Sequence, residues 1–137
     1  MKKTTQNNFS DLTLDERALL DAALPFIEQF LQEMGEFYPF AMVMGKNGVI
    51  SSLKPDIGEE YPTSDYLIQL YEKTIKRAFL LNAFEYHDAI ICINVIIHDK
   101  KDQDAVECRF LHKQGSLHKY YILYEIRDGA YIWSVIR

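Results

Sequence analysis

From Ile90 onward the chain is a succession of β-rich runs separated by short polar turns, and this feature limits its fold most. Ile90 to Ile97 is dense in β-branched residues. Ala105 to His112 follows the polar segment HDKKDQD, Leu117 to Ile126 follows Lys113-Gln114-Gly115, and Tyr131 to Ile136 follows Arg127-Asp128-Gly129. Connections this short join antiparallel neighbours. Two more strands come earlier. Residues 38–44, YPFAMVM, are apolar without alternation, which predicts a strand buried on both faces and internal in its sheet. Lys46-Asn47-Gly48 then supplies a tight turn into a shorter strand, Val49 to Leu53.

Two helices complete the pattern. Thr13 with Glu16 three residues later is a capping-box signature. Leu19, Leu20, Ala23, Phe26, Ile27, Phe30, Leu31 and Met34 follow at helical spacing, and Gly35 is a natural stop. Pro25 predicts a kink or a fresh helix start inside that stretch. Ser64 or Thr63 caps a second helix whose apolar stripe is Leu67, Leu70, Tyr71, Ile75, Ala78 and Phe79. Its charges, with Glu72 and Lys76 at i,i+4, read as a solvated face. The expectation is an α+β fold of order α-β-β-α-β-β-β-β, with two main helices and an antiparallel-rich sheet of five to six strands. Residues 1–10 are expected to be frayed or disordered, and 11–137 to form one domain.

Composition bounds the function. Hydrophobic residues make up 48% of the 137, enough for a sizeable core. The formal net charge is −5, and the basic residues are scattered, so nucleic acid is not an expected partner. A basic protein would suit the acidic balance. The first residues have no apolar stretch behind Lys2-Lys3, and the Ile90–Ile97 run is too short to span a bilayer, so no secretory signal or membrane span is expected. The cytoplasm is the default location. Two cysteines make no disulfide framework.

Strand parity assigns faces. Ile91, Ile93, Val95 and Ile97 are expected to meet the core, as are Val106, Cys108 and Phe110 in the next strand. Cys92 and Cys108 then fall on opposite faces, reduced and unable to bridge. The outer face would carry Ile90, Ile96, Tyr121 and Leu123 together with a polar patch of Asn94, Glu107, Arg109 and Lys119. That mixture predicts self-association, a homodimer burying about 800 Å² per partner. The competing arrangement places the two helices on opposite faces of a well-covered monomer.

No motif carries chemistry. His87, His98, His112 and His118 lack metal-ligand spacing, though His112, His118 and Cys108 invite comparison as ligands. No phosphate loop or nucleophile elbow is present, and no cofactor, metal or catalytic residue is implied. The remaining candidates are the aromatic junction Phe37, Tyr38 and Phe40, the acidic loop Asp56, Glu59 and Glu60, and the patch Asn94, Arg109, Lys119 and Tyr121. They lead to two readings. The first is a non-catalytic protein-binding module, immunity-like in that it would bind a basic partner. The second is a small-molecule-binding protein or enzyme with a pocket near Phe37–Phe40.

The Glu36–Phe40 segment E-F-Y-P-F, between an amphipathic helix and a hairpin, resembles a group of small uncharacterised bacterial proteins. Asp104-Ala105-Val106-Glu107, His112-Lys113-Gln114-Gly115 and Tyr121-Ile122-Leu123-Tyr124 are similar to that group's later strands and turn, without the proline common there. The resemblance spans most of residues 15–135 and implies a shared fold but no catalytic residue. The element order also resembles the roadblock/profilin-like arrangement, whose members act mainly as interaction modules and dimers. That likeness is of topology alone.

Overall fold

In the computed structural model, which describes residues 9–54, 62–98 and 101–135, the chain begins its first helix where the capping box predicts. Thr13 Oγ1 accepts from the Glu16 N–H at 3.1 Å, and Glu16 Oε1 accepts from the Thr13 N–H at 3.0 Å. Helix α1 (Leu14–Met34) ends at Gly35, whose φ of 77° is the left-handed cap that glycine favours. The helix runs through Pro25 as one element rather than restarting there. Pro25 lies on the exposed side, so the carbonyl one turn back, left without its partner, can bond water.

Strand β1 (Phe40–Met44) turns through Asn47 and Gly48, both at positive φ, into β2 (Ile50–Leu53). Helix α2 (Ser64–Leu80) is capped by Thr63, whose hydroxyl accepts from the Tyr66 N–H. A short 3₁₀ turn (Ala83–Glu85) leads to β3 (Asp88–His98), β4 (Asp102–His112), β5 (Leu117–Arg127) and β6 (Ala130–Val135). The six strands form one antiparallel sheet ordered β2-β1-β3-β4-β5-β6. The α+β order matches the expectation, and β1 is internal. The expected fraying falls mostly on residues outside those described, but Phe9 is buried in the core at 2% exposure.

The helices cover opposite faces. Under α1 lie Met42, Ile90, Cys92, Val106, Cys108, Phe110, Tyr120, Ile122 and Trp133, against Leu20, Ile27 and Leu31 of the helix. Under α2 lie Ala41, Val43, Ala89, Ile91, Ile93 and Leu111, against Leu67, Tyr71, Ile75 and Phe79. This corrects two sequence expectations. Ile90 is no part of an outer patch, being fully buried under α1. Cys92 and Cys108 share that face and stand directly opposite each other across β3 and β4. The register explains both. Asp88 pairs with His112 and Cys92 with Cys108, so residues of like parity share a face. Strand β3 is apolar at odd and even positions alike, and alternation within it could not reveal its phase.

Candidate functional site

The aromatic junction expected from E-F-Y-P-F is a cleft of about 520 Å³ at the C-terminal end of α1. Its walls are Phe30, Met34, Phe37, Tyr38 and Phe40, with Glu36 and Ser64 at the polar edge. The rings hold one another. Phe30 meets Phe40 edge-on at 5.6 Å between centroids, and Phe37 meets Phe40 in the same way at 5.7 Å. The left-handed Gly35 folds the chain back under the last turn of α1, and buried Pro39 leads into β1. Met34 and Tyr38 stay 73% and 65% exposed. A surface of this kind accepts an apolar group and offers it few hydrogen bonds.

The polar patch is only partly assembled. Glu107, Arg109, Lys119 and Tyr121 share the α2 face of β4 and β5. Arg109 donates to Glu107 and, at 2.7 Å, to Glu72, while the Tyr121 hydroxyl donates to Glu107 at 3.2 Å. Glu72 therefore bridges helix to sheet instead of pairing with Lys76 on a solvated face. Lys119 is exposed at the margin. Asn94 points to the other face, where its Oδ1 accepts from Tyr124 at 3.3 Å. Burial, with Asp104 and Tyr131 nearby, pushes the Tyr124 hydroxyl up to about 12. Asp56, Glu59 and Glu60 lie outside the described residues.

Sequence reasoning missed a buried charge cluster at the N-terminal end of α1. His112 bonds Asp88 Oδ1 through Nδ1 and Glu16 Oε2 through Nε2, each at 2.8 Å. With both carboxyl groups ionised, both ring nitrogens donate and the ring is an imidazolium clamped between them. Burial alone would lower the His112 pKa, but the two carboxylates more than offset it and hold it above the usual histidine value. Burial would likewise raise Glu16, yet the Thr13 N–H, His118 and His112 keep it below the usual carboxylate range. Asp88 is raised, chiefly by burial and also by Asp15. Asp15, His87 and Asp88 bring three ligand atoms within 4.8 Å of one another. Such a group could hold a cation, but the His112 imidazolium and the positive end of α1 already supply positive charge there.

A second missed feature is the connection from α2 to β3. Asn82, Phe84 and Glu85 all have positive φ, between 50° and 55°. Leu80, Leu81 and Phe84 nevertheless point outward, at 85%, 64% and 79% exposure. Two signals were present in the sequence: Leu80 and Leu81 continue past the apolar stripe of α2, and Asn82 is a residue that tolerates positive φ.

The two thiols offer no nucleophile. Both are buried, and burial together with neighbouring Cys108 pushes the Cys92 thiol well up. Among the described residues no helix is long and apolar enough to cross a membrane. Comparison with family models, curated proteins and solved structures found no match for this chain.

Proposed function

We propose that this chain is a non-catalytic binding module that takes an apolar anchor from a basic protein partner into the aromatic cleft. The cleft itself carries the reading: three phenylalanines fixed edge to edge, with Met34 and Tyr38 left open to solvent beside them. Free surface rarely gathers large apolar groups in this way, whereas interface centres do. The rim supports a basic partner. Glu36 lines the cleft, exposed Glu33 and Asp65 are chain neighbours of its lining residues Met34 and Ser64, Lys54 follows β2, and the whole chain carries −5. An immunity-like role in the cytoplasm, masking a basic protein, falls within this reading.

A small apolar molecule is the second reading, and the volume favours it, since pockets for small ligands run from about 300 to 1,000 Å³. The walls argue the other way, because they offer few polar groups to orient such a ligand.

The test is an amide-shift titration of the ¹⁵N-labelled protein with the peptides Lys-Lys-Trp-Lys-Lys and Glu-Glu-Trp-Glu-Glu, and with indole alone. Shifts confined to residues 30–40, stronger for the lysine peptide, are the expected result. Equal response to both peptides removes the basic partner from the proposal. Response to indole alone favours the small molecule, and no response at residues 30–40 ends the reading.

A further inference from the structure

We infer that the anchor is supplied by the protein itself: the Leu80, Leu81 and Phe84 knob of one copy docks in the aromatic cleft of the next, head to tail. The inference rests on the cleft being a binding site and names its occupant.

The knob is an unusual structure to maintain. Asn82 tolerates the left-handed region, but Phe84 and Glu85, both left-handed within the same four residues, are strained there. Strain of that kind persists only where the surroundings impose it. The turn leaves Phe84 79% exposed. The surroundings hold it firmly in that form. The Phe84 carbonyl lies only 2.7 Å from where a Cβ on Gly45 would stand, so the loop backbone rests on a glycine with no room for a side chain. The Phe84 ring leans on Tyr86 at 5.4 Å, and Lys113 Nζ donates to Asn82 Oδ1 at 2.6 Å. Three apolar side chains are thus presented on a fixed backbone, which lowers the entropy lost on docking.

Charge and position select a second copy as the occupant. Exposed Lys76, Arg77 and Lys113 surround the knob, with Glu85 opposing them but paired to Lys46 at 3.8 Å. Glu36 lines the cleft, and exposed Glu33 and Asp65 adjoin its lining residues Met34 and Ser64 in the chain, with Lys54 as the opposing charge. A basic, apolar projection therefore meets an acidic, apolar recess on the same molecule. They stand at opposite poles. Helix α2 runs from Ser64, at the cleft edge, to Leu80, and its 17 residues separate the two by about 25 Å. No knob can reach its own cleft. Docked head to tail the contact is heterologous and copies add in one direction, whereas two antiparallel copies about a two-fold axis would fill both clefts and stop at a dimer.

The experiment uses two surface variants of the full chain. Phe84→Asp spoils the knob, and aspartate tolerates positive φ. Tyr38→Asp spoils the cleft. Sedimentation velocity from micromolar to millimolar concentration is expected to show the wild type growing past twice 16.0 kDa without a plateau. Each variant alone should stay at 16.0 kDa, about tenfold or more weaker in association. Mixed in equal amounts, they retain one good knob and one good cleft between them. The mixture should form a one-to-one pair and stop, and recovery in the mixture also shows that both variants are folded. Dispersed amide spectra of each variant guard against the opposite outcome arising from unfolding. A wild type that stays monomeric, a plateau at a closed dimer, or a mixture that fails to pair overturns the inference. If the lysine peptide still shifts residues 30–40 in a monomeric wild type, self-docking has failed and the cleft reading stands. If the peptide is silent as well, both have failed.

Discussion

Under α1 the sheet presents buried side chains from β1, β3, β4, β5 and β6, while under α2 it presents them from β1, β3 and β4 alone. The α1 side gathers Trp133, Phe110, Tyr120, Ile122 and the two thiols, and reaches back to Phe9. The α2 side leaves Tyr121, Leu123 and Ile132 half covered on β5 and β6. Hydrophobic stabilisation follows the area removed from water, so the α1 layer holds the fold together. The α2 layer is thinner, and both the exposed knob and the Glu72–Arg109 bridge belong to it. The strained connection and one cross-layer ion pair thus sit where less apolar packing is at stake.

Truncation on the two sides should therefore differ sharply. Trp133 is 1% exposed, and its indole N–H donates to Glu28 at 3.0 Å. Trp133→Ala is expected to cost about 4 kcal/mol through the cavity and the lost bond. Leu123→Ala, on the thinner α2 side, should cost about 2 kcal/mol, since that side chain is only partly removed from water. Urea unfolding of both variants measures the gap. Equal losses would mean that the open half of the α2 face is covered after all, and the asymmetry would disappear.

The charge cluster sharpens the comparison, because it ties the N-terminal turn of α1 to β3 and β4. His112→Gln removes the cation that buried Glu16 and Asp88 share, leaving Glu16 with only one histidine, His118 at 3.2 Å, and is expected to cost about 3 kcal/mol near pH 6. The dependence on pH has a definite sign. The folded-state pKa of His112 is raised, so its contribution is complete below the unfolded value of about 6.5 and fades as pH climbs through the folded one. The folded-state pKa of Glu16 is lowered, so its contribution is present above its unfolded value and fades as pH falls through the folded one. Asp88 is raised by burial even with His112 beside it, so its ionisation opposes folding, and more so once that partner is removed. The difference between wild type and His112→Gln should therefore be greatest in mild acid and shrink towards alkaline pH. A difference that grows above pH 8 would mean that the ring is neutral and the clamp is misread.

What was legible in the sequence was local. The capping box at Thr13, the Gly35 stop, the Asn47-Gly48 turn and the apolar β1 run each depend on neighbours within a few residues, and each appears as expected. The aromatic junction was legible for the same reason, as a helix stop followed at once by Phe37 and Phe40. Long-range phase was not. Strand β3 is buried on both faces, so Ile90 and Ile91 look alike in sequence, and only the pairing of Asp88 with His112 decides which face each takes. The clamp was hidden because Glu16 and His112 are 96 residues apart. No spacing rule joins a capping glutamate to a strand-end histidine. Pro25 does not restart the helix, because it sits on the exposed side, where water can replace its missing hydrogen bond.

The smallest effect tests whether the α2–β3 connection is built for the fold or for a partner. Glu85 has a φ of 55° and is exposed, and its ion pair with Lys46 spans 3.8 Å between two open side chains. Such a pair contributes little. Glycine adopts that φ without a Cβ penalty, although it also loses more freedom on folding. Relief of a left-handed glutamate is worth about 1 to 2 kcal/mol, and the added entropy of an unfolded glycine takes back somewhat under 1 kcal/mol. Glu85→Gly should therefore raise stability by about 0.5 kcal/mol, and the check is the urea midpoint at unchanged slope. If the strain serves the display of Phe84, the same variant should be more stable and yet weaken head-to-tail association, because a looser backbone no longer fixes the knob. If Glu85→Gly lowers stability instead, the connection is part of what holds α2 to the sheet, and the separation between a stabilising α1 side and a partner-facing α2 side is wrong at that point.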